Sequence, residues 1–390
     1  MYRLVYLAYL LMVASAGVTF VFLEDVETEF GLPAWGVGLI AALGFFTAVI
    51  ASLGISPLGD RGHLRLLGWL GFATAIGGNI LFGLAGGLFT LTLSRALTGI
   101  GIGLFAIVAR KALIGEATDD SGEKLGQLIS AAVAGFIAGP VLGSQLAEFG
   151  GMATPYYVLA VLLALVAIPT MSWVASVPVA ISESVDTGAM GSLLRLPGIR
   201  AAVAAQVAVF FNIGVFDATA DEYLTNLGVS NAGVGLAIAI VGLPLLVIPR
   251  LVGRYVDKSP RPADVMIIAL AFFVPIVVTI GFWEGVAVFV VLATIQTCLE
   301  STLFPAAARV VVNETGAEKS AIGTGLLDAA GSLAGGISAF IAPITFDLAG
   351  GPSGSFGISG AFAGLMLIIV WHNVRQRDET QTAVPHPAKT

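Results

Sequence analysis

Four ionisable side chains sit inside long apolar runs. Glu300 lies within the run 286–306, with Gln296 one turn earlier. Arg95 lies within 88–109, about seven residues and roughly 10 Å from the nearer end. Asp328 lies about two turns into 322–346, and Asp217 sits near the end of 199–220, just before Asp221. An ionisable group in hydrocarbon is costly and therefore pairs or titrates. The chemistry on offer is ion pairing and proton exchange. Glu24 or Asp25, at the end of the first apolar run, could reach the Arg95 guanidinium. A purely structural ion pair is the alternative for Arg95, and a place at the membrane interface is the alternative for Asp217.

A second set recurs at the ends of runs: Asp60-Arg61, with Arg65 nearby, and Asp257-Lys258. Each Asp closes its own helix, where the dipole opposes a carboxylate. Each is therefore expected to meet the N-terminus of a neighbouring run, 322–346 for Asp60 and 124–146 for Asp257. Asp328 is expected to join the tie at Asp60 and Arg61. No comparable set points to catalysis. The three histidines, His63, His372 and His386, fall in loops or the tail, and the one cysteine, Cys298, is a small hydrophobe in an apolar run. No His/Cys/Asp cluster has metal spacing, no phosphate-binding Gly-x-x-x-x-Gly-Lys loop is present, and no nucleophile has partners. The sequence predicts no enzyme, no metal and no cofactor.

The elements that position these residues follow from composition. Of 390 residues, 57% are hydrophobic and 11% charged, against about 25% charged in a soluble domain. Lipid is the solvent that such a surface needs. Twelve apolar runs occupy 4–23, 35–56, 66–84, 88–109, 124–146, 155–175, 199–220, 232–252, 264–282, 286–306, 322–346 and 354–372. Each is near the roughly 20 residues a spanning helix needs. With the N-terminus inside, the lysines and arginines outside the runs fall in the cytoplasmic connections. The six opposite connections carry none; they carry Glu24, Asp25, Glu27, Glu29, Glu148, Asp221, Glu222, Glu284 and Asp347. One span more or fewer would invert that partition.

The chain also repeats at an offset of 197. Glu24-Asp25 falls on Asp221-Glu222, Gly36-Val37-Gly38-Leu39 on Gly233-Val234-Gly235-Leu236, and Asp60-Arg61 on Asp257-Lys258. The expected fold is an all-α integral membrane protein of 12 transmembrane helices in two six-helix bundles related by a parallel repeat. The expected bounds are 1–175 for one bundle, 176–198 for a cytoplasmic linker, 199–372 for the second bundle and 373–390 for a disordered cytoplasmic tail. Parallel six-span repeats are a transporter architecture with the solute site between the halves.

Three motifs resemble those of the major facilitator superfamily. Ser56-Pro57-Leu58-Gly59-Asp60-Arg61-Gly62-His63-Leu64-Arg65 looks like its Gly-x-Leu-x-Asp-Arg-x-Gly-Arg loop, with Ser56 for the first Gly and the later Gly one residue early. Arg95-Ala96-Leu97-Thr98-Gly99-Ile100-Gly101 is similar to its Arg-x-x-x-Gly-x-Gly segment. Gly135-Phe136-Ile137-Ala138-Gly139-Pro140-Val141-Leu142-Gly143-Ser144 resembles the segment that the family associates with exporters exchanging solute against protons. Pro140 kinks its helix, and the small residues Gly135, Gly139 and Gly143 are expected to pack that helix against the other half. Gly99 and Gly101 likewise admit a neighbouring helix.

The resemblance implies that spans 1, 4, 7 and 10 line a central cavity, with Phe20, Phe210, Phe211, Asn212 and Gln296 on its wall. It makes Glu300 the first proton-carrier candidate, beside Arg95, Glu24, Asp25 and Asp217. The function implied is a secondary transporter that moves a small apolar or amphipathic solute by alternating access, with proton-coupled efflux. A carrier for uptake or facilitated diffusion of a metabolite, and a non-transporting membrane receptor, stay open as alternatives. The expected partners are the solute, the proton and the lipid bilayer, without nucleic acid. The expected state is a monomer in the plasma membrane with both termini cytoplasmic.

Overall fold

Without water in hydrocarbon, a spanning backbone must bond to itself, and apolar runs of this length do so as helices. The computed structural model describes residues 3–54, 63–116, 121–177, 191–259 and 261–382, and among them there is no strand. The helices are α1 (Arg3–Thr19), α2 (Leu23–Phe30), α3 (Ala34–Gly54), α4 (Leu64–Gly83), α5 (Leu88–Glu116), α6 (Ser121–Gly150) and α7 (Thr154–Ser176). In the second half they are α8 (Pro197–Asn226), α9 (Asn231–Gly242), α10 (Pro244–Val256), α11 (Pro262–Ile280), α12 (Val286–Gly316), α13 (Ile322–Ala349) and α14 (Pro352–Thr382). Among the described residues, eleven helices are long and apolar enough to cross a membrane when α9 and α10 count as one, and the bent pair α1–α2 supplies a twelfth. Large apolar side chains such as Leu165, Ile168 and Ile368 are more than half exposed, a surface suited to lipid.

Two spans depart from the straight helices expected. The first, expected over 4–23, ends at Thr19. The amides of Phe20, Val21 and Phe22 bond three residues back, to Gly17, Val18 and Thr19. This tight turn bends α2 by 51° from α1, so the acidic connection expected after the first span is itself helical. The eighth, expected over 232–252, divides where Pro244 has no amide to donate. The segment expected to be a tail from 373 onward is helical through Thr382. There Arg375 pairs with Glu379 one turn on, and the Arg377 guanidinium donates to Glu314 of α12.

The spans pack backbone to backbone. A Cβ on Gly17 would sit 2.7 Å from the Phe136 carbonyl oxygen, and one on Gly214, its repeat-mate at the offset of 197, would strike the Gly335 carbonyl oxygen. Gly135 and Gly139 of α6 face Leu10 and Ala14 of α1, and Gly143 faces Val18 and Phe22. These three glycines therefore pack within their own half, not against the other half as expected. The second half instead meets α6 at Ile137, the Pro140 carbonyl and Ser144. Gly99 abuts Gly44 and Thr47 of α3, while Gly101 abuts Gly71 and Ala75 of α4.

The halves meet along two crossings. Gly38 of α3 lies against the Phe340 carbonyl of α13, and Gly235 of α9 lies against the Pro140 carbonyl and Ser144 of α6. Gly38 and Gly235 are again repeat-mates. Both lie in the first turns of helices that start from the end of the bundle bearing the acidic connections. The halves are in contact at that acidic face.

Candidate functional site

Arg95 is 2% exposed, and its hydrogen bonds go to two backbone carbonyls and one hydroxyl. Its Nε donates to the Ile40 carbonyl at 3.2 Å, and one terminal nitrogen donates to the Ala16 carbonyl at 3.4 Å and to Thr19 Oγ1 at 3.0 Å. The Ala16 carbonyl has no intrahelical amide, because the tight turn sends Phe20 N to Gly17 instead. Arg95 thus caps the C-terminus of α1, where the helix dipole favours a cation. Tyr156 donates to the same Thr19 oxygen at 3.2 Å, and Phe20 lies 5.3 Å below the guanidinium carbon. Gly44 leaves the space that the guanidinium fills: a Cβ there would lie 2.7 Å from it.

The carboxylate partners expected for Arg95 are elsewhere. The bend carries α2 toward the second half, so that Asn231 Nδ2 donates to Asp25 Oδ2 at 2.6 Å. The Glu24 backbone amide donates to Asp221 Oδ2 at 3.0 Å. Both bonds link the first half to the second at the acidic face. Glu24 and Asp221 are repeat-mates.

Glu300 of α12 is 3% exposed and sits in a bonded set drawn from three helices. Asn212 Nδ2 of α8 donates to Glu300 Oε1 at 2.9 Å, and Gln296 Nε2 donates to the same oxygen at 3.2 Å. Ser359 of α14 donates to Asn212 Oδ1 at 2.9 Å. Asp217, a proton candidate with the membrane interface as its alternative, is 5% exposed and lies within electrostatic range of both Glu300 and Arg95. Buried polar atoms normally have partners, yet Asp217 Oδ2 and Gln296 Oε1 have none among the described residues. An arginine from the first half and two acids from the second thus share one buried region.

Aromatic rings surround it. Phe20 lies 6.3 Å from Phe45 and 5.9 Å from Phe136, and Phe210 lies 6.0 Å from Phe304. Phe211 instead stacks on Phe362 of α14 at 4.1 Å, inside its own half. Successive residues on a helix point about 100° apart, so Phe210 and Phe211 cannot face the same partner.

At the other end of the bundle, Arg110 of α5 pairs with Asp328 of α13 at 3.5 Å, a contact between the halves with both side chains more than half exposed. Asp328 was expected to meet Asp60 and Arg61, which lie outside the described residues. Asp257, expected to meet the N-terminus of α6, pairs with Arg309 of α12 in its own half at 3.6 Å. The turn after α10 points it at the nearby cation on its own half, and Lys258 beside it is exposed. Arg65 donates to the Ala175 carbonyl at 2.6 Å, capping α7 of its own half.

Several of these residues were not singled out from sequence. Ser359 and Asn231 are small polar residues in apolar or loop surroundings, a signal too common to stand out. Gly44 could have been found as a glycine on a helix that must pass the Arg95 side chain. Arg110 is basic at a span end, as every cytoplasmic connection would have it.

The comparisons with known proteins agree with this architecture. The Major Facilitator Superfamily profile matches residues 5–205 and again residues 202–389, once for each half. The YgaY transporter of Escherichia coli K12 is 30% identical over 150 residues, and the match covers 37% of each chain. The multidrug resistance protein MdtG of Klebsiella pneumoniae is 25% identical over 287 residues, covering 70% of this chain and 68% of its own. Among solved structures, a bacterial homologue of the human lysosomal transporter Spinster superimposes with a TM-score of 0.80 at 14% identity, over 96% of both chains. A D-xylose–proton symporter superimposes with a TM-score of 0.74 at 18% identity, over 95% of this chain and 96% of its own.

Proposed function

This chain belongs to the Major Facilitator Superfamily and is a membrane transporter, and on that premise we propose that it exports a small amphipathic solute in exchange for protons. The halves alternate between closure at one face and closure at the other, and contacts between them stand at both faces here: Asn231 with Asp25 at the acidic face and Arg110 with Asp328 at the opposite one. The acidic face is extracellular, the termini are cytoplasmic, and the membrane is the plasma membrane. The partition of basic and acidic connections supports that orientation. Residues 1–175 and 199–372 are the two moving bodies, joined by 176–198, and the protein works as a monomer.

The observation that carries the reading is Glu300, an acid buried mid-span in a bonded set drawn from three helices. Such a carboxyl takes or releases a proton according to which side reaches it. The surrounding rings of Phe20, Phe45, Phe210 and Phe304 suit an apolar solute body. The unpartnered acceptors on Asp217 and Gln296 suit one N–H donor or positive charge on it. The multidrug name of the MdtG relatives supports efflux of such a solute.

The test is transport of a fluorescent lipophilic amine into or out of proteoliposomes under an imposed pH gradient. Wild type should follow the gradient and Glu300→Gln should not. Equal movement with and without the gradient in both proteins would remove the proton from the account.

A further inference from the structure

We propose that Ser359 and Asn212 are positioning residues that set the proton affinity of Glu300 and leave Oε2 as the oxygen that carries its proton. The inference deepens the proton-coupled reading and rests on it for its role in transport. It starts from the direction of three bonds. Ser359 has one O–H to give, and it gives it to Asn212 Oδ1. The amide is thereby held with Nδ2 toward Glu300, and Nδ2 donates to Oε1. Gln296 adds a second N–H to that oxygen. An oxygen accepting two N–H bonds has its lone pairs committed, whereas no described residue bonds Oε2. The proton therefore arrives at and leaves from Oε2, while Oε1 stays fixed to α8 and α12.

Ser359 acts through Asn212 and does not touch the carboxyl. It is 1% exposed and Asn212 is fully buried, so no water replaces the hydroxyl if it is removed. In Ser359→Ala, Asn212 Oδ1 has lost its donor and the amide is free to turn. Turned, it presents an acceptor to Oε1. The ionised carboxylate then loses one of two donors and gains a repulsion, whereas the protonated form can donate to the amide. The charged groups within electrostatic range are Asp217 on α8 and, beyond it, Arg95 of α5; neither bonds Ser359 or Asn212.

The experiment uses the purified full chain in detergent and needs no transport. Dicyclohexylcarbodiimide modifies buried carboxyls in the protonated form. Modification of the peptide holding Glu300 is followed by mass spectrometry against pH, with Glu300→Gln as the blank. Ser359→Ala should move the half-labelling point upward by about one pH unit, a tenfold change in proton affinity. Ser359→Thr, which keeps the hydroxyl, should restore it. Asn212→Leu removes the donor directly and should move it at least as far, which keeps the test available if Ser359→Ala does not fold. Ser355→Ala is the control. That serine is one turn away and equally buried, but it bonds the Ala342 carbonyl, so its loss should leave the midpoint in place.

An unchanged midpoint in both Ser359→Ala and Asn212→Leu, or the same shift in Ser355→Ala, would overturn the proposal. The two readings fail separately. A shifted midpoint with flux indifferent to a pH gradient would remove proton coupling and keep the positioning. Gradient-driven flux with unshifted midpoints would remove the positioning alone.

Discussion

Replacing Gly38 by alanine should pry the acidic face open. The added Cβ would strike the Phe340 carbonyl oxygen, and its next neighbours, the Phe340 carbonyl carbon and Cα, are also backbone. No flexible side chain can swing away, so α3 and α13 must separate. Overpacking of this kind costs about 1–3 kcal/mol. The contact exists only where the halves close at this face, so the cost falls on that state alone. It should raise the ratio of acidic-face-open to acidic-face-closed molecules by about 5- to 150-fold. Gly235→Ala meets the Pro140 carbonyl at 2.7 Å on the repeat-related crossing and should act in the same direction. The assay is the distance between spin labels on Thr28 of α2 and Asn226 of α8, in a background lacking Cys298. Both variants should populate a longer distance than wild type. Gly77→Ala, where a Cβ meets nothing within 4 Å, should match wild type. Unchanged distances in Gly38→Ala and Gly235→Ala, in folded protein, would refute the claim that these two glycines seal the face.

Four further outcomes follow from the same contacts. Asn231→Ala removes the amide bond to Asp25, and the same label pair should show an open fraction higher by roughly fivefold, from about 1 kcal/mol per lost bond. Arg95→Ala removes the guanidinium bonds to the Ile40 and Ala16 carbonyls and to Thr19, which keeps Tyr156 as a donor. It should lower the melting temperature in detergent by the equivalent of about 2–4 kcal/mol, from unmade bonds of about 1–3 kcal/mol each. Gly135→Ala, which strikes the Leu10 carbonyl, should lower that temperature more than Gly143→Ala, whose nearest neighbours are Val18 methyls at 3.0 and 3.4 Å. Arg110→Ala breaks an ion pair that is more than half exposed. The melting temperature should barely change, since exposed pairs contribute about 0–1 kcal/mol.

Topology was the most legible part of the chain. The twelve runs, their alternation of charge and the 197-residue offset are global signals, and the helices follow them. The breaks were less legible because they arise from local geometry. Nothing in Gly17-Val18-Thr19-Phe20 announces a turn, yet the guanidinium of Arg95 holds one by donating to the freed Ala16 carbonyl. That is also why Glu24 and Asp25 do not meet Arg95: the bend turns α2 toward Asn231 and Asp221. The glycines of α6 were visible as a packing face, but sequence spacing does not say which neighbour receives it. α1 receives it, while Pro140 and Ser144 face the other half. Glu300 stood out as a charge in hydrocarbon, whereas Ser359 is one hydroxyl on a span well supplied with serines and takes its meaning from Asn212.

Alternating access itself is tested most directly by locking one face. Asp25→Cys combined with Asn231→Cys, in a background lacking Cys298, replaces the bonded pair that joins α2 to α9. In proteoliposomes, closing this pair with oxidant or a short thiol cross-linker should stop solute flux, and reduction should restore it. Undiminished flux through protein shown by gel shift to be fully cross-linked would contradict the account.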